Sequence, residues 1–274
     1  MLSVITKIVH KHMNTICERE GFYGPIQYGF RQKRSTTYCV LMILAALRSA
    51  KRKKQCISLA FFDIAKAYDS VCRVRELLYT KLRSIGFGGQ VVALIRSMYF
   101  NDSVRVNLNE GLSDPVYFTQ GVKQGCSLSP MLFALYIASL GMALDGTKLG
   151  VKLGNVLLTA LFFADDLLLL SRTPKQGMNK LLRIVTQFCN DMKMKLSTSK
   201  TYILTNSRNQ GSWKVEGETI EEILGVNVQV RGRSMIGKYE SEIIRRATNY
   251  AYTIMNLTRG AFDRSYVAYL LRVL

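Results

Sequence analysis

The chain has 274 residues, with 38 Lys and Arg against 19 Asp and Glu, a formal charge of +19, 48% hydrophobic and 21% charged residues. That balance excludes a disordered chain, and a one-signed excess of this size points to a polyanionic partner, of which nucleic acid is the commonest. Six scattered cysteines without a CxxC pair, and only two histidines, His10 and His12, exclude a disulfide framework and a structural zinc site.

Leu2, Ile5, Ile8, Val9, Met13 and Ile16 recur at helical spacing and predict a helix over 2–17. Residues 37–50 repeat the pattern after Ser35 and Thr36, either of which suits the N-cap. Residues 56–63 read as a buried strand. Two helical patterns follow, one ending at Gly86-Phe87-Gly88 and one over 91–99, and residues 104–108 alternate like a half-exposed strand. Pro130 opens a very apolar helix through Leu144, at a position where the missing N–H of proline costs nothing. Residues 157–171 are apolar on both sides of Asp165-Asp166 and read as strand, tight turn, strand. Met178, Leu181, Leu182, Val185 and Phe188 mark an amphipathic helix. Short strands are expected around 202–204 and 223–228, then helices from Met235 onward. Helices and strands alternate without strict βαβ regularity, so the expected class is α+β. The longest apolar stretch, 156–170, is shorter than a membrane span and carries two aspartates, and Lys7, His10, Lys11 and His12 interrupt the first apolar residues. No membrane association and no secretion are expected, and the location is intracellular, in nucleus or cytoplasm.

Two apolar runs contain aspartate where core residues belong: Leu59-Ala60-Phe61-Phe62-Asp63, continuing to Tyr68-Asp69, and Leu161-Phe162-Phe163-Ala164-Asp165-Asp166. An ionised carboxylate in such surroundings costs several kcal/mol unless a partner offsets it, and adjacent aspartates also repel one another. Taken singly, Asp63 is a strand end or helix cap and Asp165-Asp166 a polar turn. Taken together, at the ends of the two most apolar strands, they point to a divalent cation pair, with carboxylate oxygens suiting Mg²⁺ and two ions ~4 Å apart suiting phosphoryl transfer. Asp63 and Asp165 are therefore expected to face each other from adjacent antiparallel strands.

Phe62-Asp63-Ile64-Ala65-Lys66-Ala67-Tyr68-Asp69 resembles motif A of reverse transcriptases, Gln120-Gly121-Val122-Lys123-Gln124-Gly125-Cys126-Ser127-Leu128-Ser129-Pro130 resembles motif B, and Phe163-Ala164-Asp165-Asp166 resembles motif C in the form usual for non-LTR (LINE-type) retrotransposon and group II intron enzymes; with order and spacing, the resemblance is to the non-LTR type. Tyr28-Gly29-Phe30-Arg31, Leu196-Ser197-Thr198-Ser199-Lys200-Thr201 and Leu224-Gly225 add to the resemblance, which runs over about residues 1–230. It implies an α+β right-hand polymerase with an antiparallel palm sheet, partial fingers and a truncated thumb. Residues 1–55 are then partial fingers, 56–230 mainly palm, and 231–274 the start of the thumb. The family's Arg-Pro-Ile-Ser-Leu segment usually precedes a stretch like 2–13, so the chain is expected to be part of a longer protein.

The implied activity is that of an RNA-directed DNA polymerase in retrotransposition, copying an RNA template, the element RNA, by adding dNTPs to a DNA primer with two Mg²⁺, or Mn²⁺ in their place. By the same resemblance Asp63 and Asp165 ligate both ions and the Ile64 carbonyl ligates one, with Asp166 just outside them. Tyr68 lies beneath the nucleotide sugar and excludes a 2′-hydroxyl; ordinary aromatic packing is the plainer alternative. Gln124 and Gly125 meet the templating pair and incoming nucleotide, Lys200 protonates the departing pyrophosphate, Arg31 with Lys33 and Arg34 reaches phosphates, and Gly225 belongs to the primer-grip hairpin. Two rival readings remain at this level: an RNA-dependent RNA polymerase with the same palm, and a catalytically dead nucleic-acid-binding remnant.

Overall fold

In the computed structural model the described residues are 2–73, 76–108, 111–198, 201–205, 213–215 and 218–224. In chain order they form α1 (Leu2–Glu20), α2 (Thr36–Arg52), β1 (Ser58–Asp63), α3 (Ala67–Ser70), α4 (Leu77–Ser84), α5 (Gly89–Met98), β2 (Ser103–Val104), β3 (Asn107–Leu108), β4 (Gly111–Leu112), β5 (Val116–Tyr117), α6 (Ser129–Gly146), β6 (Val151–Leu153), β7 (Val156–Leu158), β8 (Ala160–Phe163), β9 (Asp166–Ser171), α7 (Pro174–Asp191), β10 (Tyr202–Thr205), β11 (Trp213–Val215) and β12 (Glu218–Leu224). Two compact units result. The first comprises Met1–Pro25, Ile64–Ser139 and Phe188–Lys195; the second comprises Ile26–Asp63, Leu140–Gln187 and the described residues after 195.

The second unit holds a six-stranded sheet in the order β11-β12-β10-β1-β9-β8. β1 lies in its middle, antiparallel to both β9 and β10. Nearly every residue of β1 and β9 is buried, whichever face it points to, which is why both read as continuous apolar runs rather than as alternating strands. One face carries Leu59, Leu161, Leu168 and Leu170, packed with Met42, Ala45, Ala46 and Ala50 of α2 and with the β6–β7 hairpin. The three alanines remove side-chain bulk between helix and sheet. Ser35 occupies the N-cap of α2 with extended backbone but makes no side-chain capping hydrogen bond. Two features depart from the sequence expectation. β10 and β12 pair in parallel within a sheet that is otherwise antiparallel, as expected. The β6–β7 hairpin was not expected at all, because strands of three residues are too short to show a period.

The first unit is built on α6, whose Leu132, Phe133, Leu135 and Tyr136 are wholly buried. A helix apolar all round belongs in a core. Among the described residues α6 is the one helix long and apolar enough to cross a membrane, and 67% of it is buried inside the protein. The Tyr136 hydroxyl donates to the Met192 carbonyl at 2.6 Å and accepts from the Cys72 amide at 3.4 Å, and burial pushes its pKa up to about 12. The strand expected over 104–108 is broken into two ribbons, β2–β5 and β3–β4, almost entirely exposed. Arg73 clasps the base of these ribbons. Its buried guanidinium donates to the carbonyls of Tyr99, Phe118 and Gln120 at 3.0–3.2 Å and lies 4.6 Å from the centre of the Tyr99 ring.

Leu170 is fully buried in the helix–sheet core of the second unit. Leu170→Ala is expected to lower the unfolding free energy by about 2–5 kcal/mol, the range for a buried leucine whose cavity does not collapse, as measured by denaturant titration.

Candidate active site

β1 ends at Asp63 and β9 begins at Asp166, and the antiparallel register sets these two residues directly across from each other. Phe163 pairs with Asp166 in the β8–β9 hairpin, which leaves Ala164 and Asp165 as a two-residue turn. Asp165 thus occupies the turn beside the Asp63–Asp166 pair, and the residue opposite Asp63 is Asp166 rather than Asp165. Asp63 and Asp165 are half-buried and Asp166 is exposed. A cavity of about 440 Å³ opens at this end of the sheet, with Asp63 and Asp166 at its polar part and Phe61, Phe163 and Leu168 among its apolar walls.

Side chains directly opposed across an antiparallel ladder sit ~5 Å apart at Cβ, and like charges there are destabilising. Oxygen donors in this arrangement fit a hard divalent cation. Among the described residues no three Asp, Glu, His or Cys side chains converge into a self-sufficient metal cluster. Two carboxylates and a backbone carbonyl, completed by water and phosphate oxygens, is the kind of shell magnesium tolerates.

The turn is braced from the segment that carries the Tyr28-Gly29-Phe30-Arg31 motif. Phe162 donates its amide to the Ile26 carbonyl at 2.8 Å, and Tyr28 donates to the Phe162 carbonyl at 2.8 Å, so this segment continues the sheet beyond β8. Gly29 is required by proximity: a Cβ there would collide with the backbone nitrogen of Ala164. Arg31 is half-buried and donates from Nη1 to the Gln27 carbonyl at 3.2 Å. Arg34 lies 4.6 Å from the centre of the Tyr28 ring; burial raises the Tyr28 pKa, with Arg34 and Arg31 pulling it back.

In the first unit, motifs A and B meet. The Tyr68 ring stacks on Phe133 with centroids 5.5 Å apart and planes at 21°. The Tyr68 carbonyl accepts from the Val122 amide at 2.9 Å, and the Val71 carbonyl accepts from Gly121 at 2.8 Å. Gly121 has a left-handed φ of +86°, and a Cβ there would press on the Asp69 backbone at 3.0 Å. Gln124 donates from Nε2 to the Asp69 carboxylate at 3.4 Å, and Gly125 is exposed at φ +80°. Asp69, Arg73, Gly29 and Gln27 were not expected as site-building residues. Asp69 and Gly29 lie inside motifs, whereas Arg73 and Gln27 give no local sign of their contacts. Lys200 and Gly225 lie outside the described residues, as do residues 231–274, expected as the start of the thumb, with the helices expected from Met235 onward.

The family profile described as "Reverse transcriptase (RNA-dependent DNA polymerase)" matches residues 1–237. The Retrovirus-related Pol polyprotein from type-2 retrotransposable element R2DM of Drosophila melanogaster is 25% identical over 256 residues, covering 93% of this chain and 23% of the relative. The RNA-directed DNA polymerase from mobile element jockey of Drosophila funebris is 29% identical over 147 residues, covering 54% of this chain and 15% of the relative. The chain therefore spans less than a quarter of the length of these two relatives. Among solved structures, telomerase from Candida tropicalis in complex with a fragment of telomeric RNA aligns over 98% of this chain and 45% of that one, with a TM-score of 0.56 at 12% identity. At that identity the likeness is one of fold, and it agrees with the right-hand polymerase architecture.

Gly29→Ala is expected to destabilise the protein by about 1–3 kcal/mol, because the methyl group meets backbone rather than a movable side chain. Gly88→Ala, where a Cβ meets nothing within 4 Å, should stay within roughly 0.5 kcal/mol of wild type. Paired thermal melts measure the difference.

Proposed function

The chain belongs to the reverse transcriptase family, and on that premise we propose that it synthesises DNA on an RNA template, adding dNTPs to the 3′-hydroxyl of a DNA primer in retrotransposition. The observation that carries this reading is the register between β1 and β9, which brings the aspartates of motifs A and C to one end of one sheet. Reverse transcriptases generally use divalent metal ions. Here Asp63, Asp165 and the carbonyl of Ile64 would hold two Mg²⁺, or Mn²⁺ in their place. When bound, such ions lower the pKa of the primer hydroxyl and neutralise charge on the triphosphate.

The protein's own residues supply the rest. Asp166 adds a second negative charge across from Asp63 and deepens the potential that attracts cations. Tyr68, held flat against Phe133, offers the sugar a ring that cannot easily withdraw, so a 2′-hydroxyl meets a wall. Gln124 has its amide oriented by Asp69, and Gly125 lets the backbone approach the nascent base pair closely. Arg31 brings charge to the loop beside the catalytic turn. The role of Lys200 as proton donor to pyrophosphate rests on its motif alone. The charge of +19 suits an RNA–DNA duplex, and the element's own RNA, met in the nucleus or cytoplasm, is the template we propose.

Primer extension on an RNA template with Mg²⁺ tests the reading. Asp63→Asn should abolish incorporation of deoxy- and ribonucleotides alike; a variant that still extends would overturn it. Tyr68→Val should spare the metal site but surrender about 2–4 kcal/mol of discrimination against ribonucleotides. An unchanged preference would make Tyr68 a packing residue only. Affinity for an RNA–DNA duplex should fall roughly tenfold or more from low to physiological salt, read by fluorescence anisotropy.

A further inference from the structure

Ala164 opens the turn that carries Asp165, and its φ of +61° is one that disfavours any residue with a Cβ. Something must hold it there. Gln27 is 2% exposed, and its Oε1 accepts from the Gly29 amide at 2.8 Å and from the Ala164 amide at 3.3 Å. Its Nε2 is buried without a hydrogen-bond partner. Turning the side-chain amide over would only set N–H groups against N–H groups, so the acceptor end has to face the turn. A methionine of similar length would fill the space without stranding a buried donor, and an orphaned polar atom of this kind calls for a reason. The position is also stiff, since the flanking Ile26 and Tyr28 are both hydrogen-bonded to Phe162.

We propose that Gln27 is a positioning residue for Asp165: its side-chain carbonyl fixes the Ala164 amide and so holds the left-handed turn in the one conformation that presents Asp165 beside Asp63. This rests on the polymerase reading for the role of Asp165, but the clamp itself does not. Gln27 touches no reacting atom; it acts through the backbone, as outer partners of metal ligands do.

The test uses the full chain with Gln27→Met, read by three measurements. Amide hydrogen exchange of a peptide spanning 160–168 should rise about tenfold, as for a lost buried hydrogen bond, while peptides from α7 stay unchanged. Mn²⁺ binding, followed by water proton relaxation, should weaken roughly tenfold. The Mg²⁺ concentration for half-maximal primer extension should rise by a similar factor. Adding Ala164→Gly, which removes the conformational penalty at the turn, should recover most of the Mn²⁺ affinity. Gln27→Asn, whose carbonyl is one methylene short of Ala164, gives the same reading should Gln27→Met fail to fold. Unchanged exchange at the turn overturns the proposal. So does exchange that rises equally throughout the chain with Mn²⁺ affinity retained, because that is loss of stability alone. A wild-type chain that extends no primer would sink the polymerase reading, while the exchange measurement would still decide whether Gln27 holds the turn.

Discussion

Two carboxylates stand opposite each other at the end of a ladder whose other members are almost all apolar, and much of the second unit follows from that opposition. The Asp63–Asp166 pair can exist only where the sheet stops being core, so the leucines and alanines between α2 and the sheet cluster toward the other end, around Leu59 and Leu170. At the acidic end the same face opens into a cavity rather than closing over the strands. Burial drives the strands together, and the register that burial imposes delivers the charges to one place. The repulsion is modest beside the apolar surface buried along the same two strands, so the fold tolerates a pair that favours an added cation.

Motif B is attached to motif A by different physics. Backbone hydrogen bonds from Val122 to Tyr68 and from Gly121 to Val71 lock the loop to the short helix that carries Tyr68. Arg73 ties the preceding residue, Gln120, to the base of the exposed ribbons. A buried guanidinium can satisfy three carbonyls from three directions at once because its donors fan out in a plane; a lysine at this position would leave carbonyls unpaired. The loop is thus fastened by polar groups in a region where the ribbons supply almost no core.

The sequence makes the long elements legible and leaves the registers hidden. Helices α2 and α7 follow from spacing, α6 from Pro130 and the apolar run behind it, and β1 and β9 from their apolar runs. Asp165-Asp166 looked like the turn itself, yet the turn is Ala164-Asp165 and Asp166 already belongs to β9. That is a shift of one residue, and in a strand one residue exchanges the two faces. Composition cannot settle it, because alanine is a poor choice for a left-handed turn position and its hydrogen bond to Gln27, far away in the chain, leaves no local mark. The parallel pairing of β10 with β12 was hidden for a similar reason: direction depends on where the connection runs. Gln27 itself, a polar residue next to a recognisable motif, carries no local mark of its distant partner.

The two units interleave along the chain, and this bears on how the protein is made. The first unit's core tyrosine, Tyr136, bonds a carbonyl at Met192, and the central strand of the second unit, β1, waits for β9 and β10. Neither unit can close while only the first half of the chain has left the ribosome. During synthesis the strand β1 emerges with its apolar surface uncovered, long before β9 and β10, the strands that flank it. Slow, non-local closure of this kind leaves sticky intermediates exposed, so the nascent chain should lean on chaperones. Expression in pieces should also fare poorly, since any single cut between 64 and 187 removes segments from both units at once.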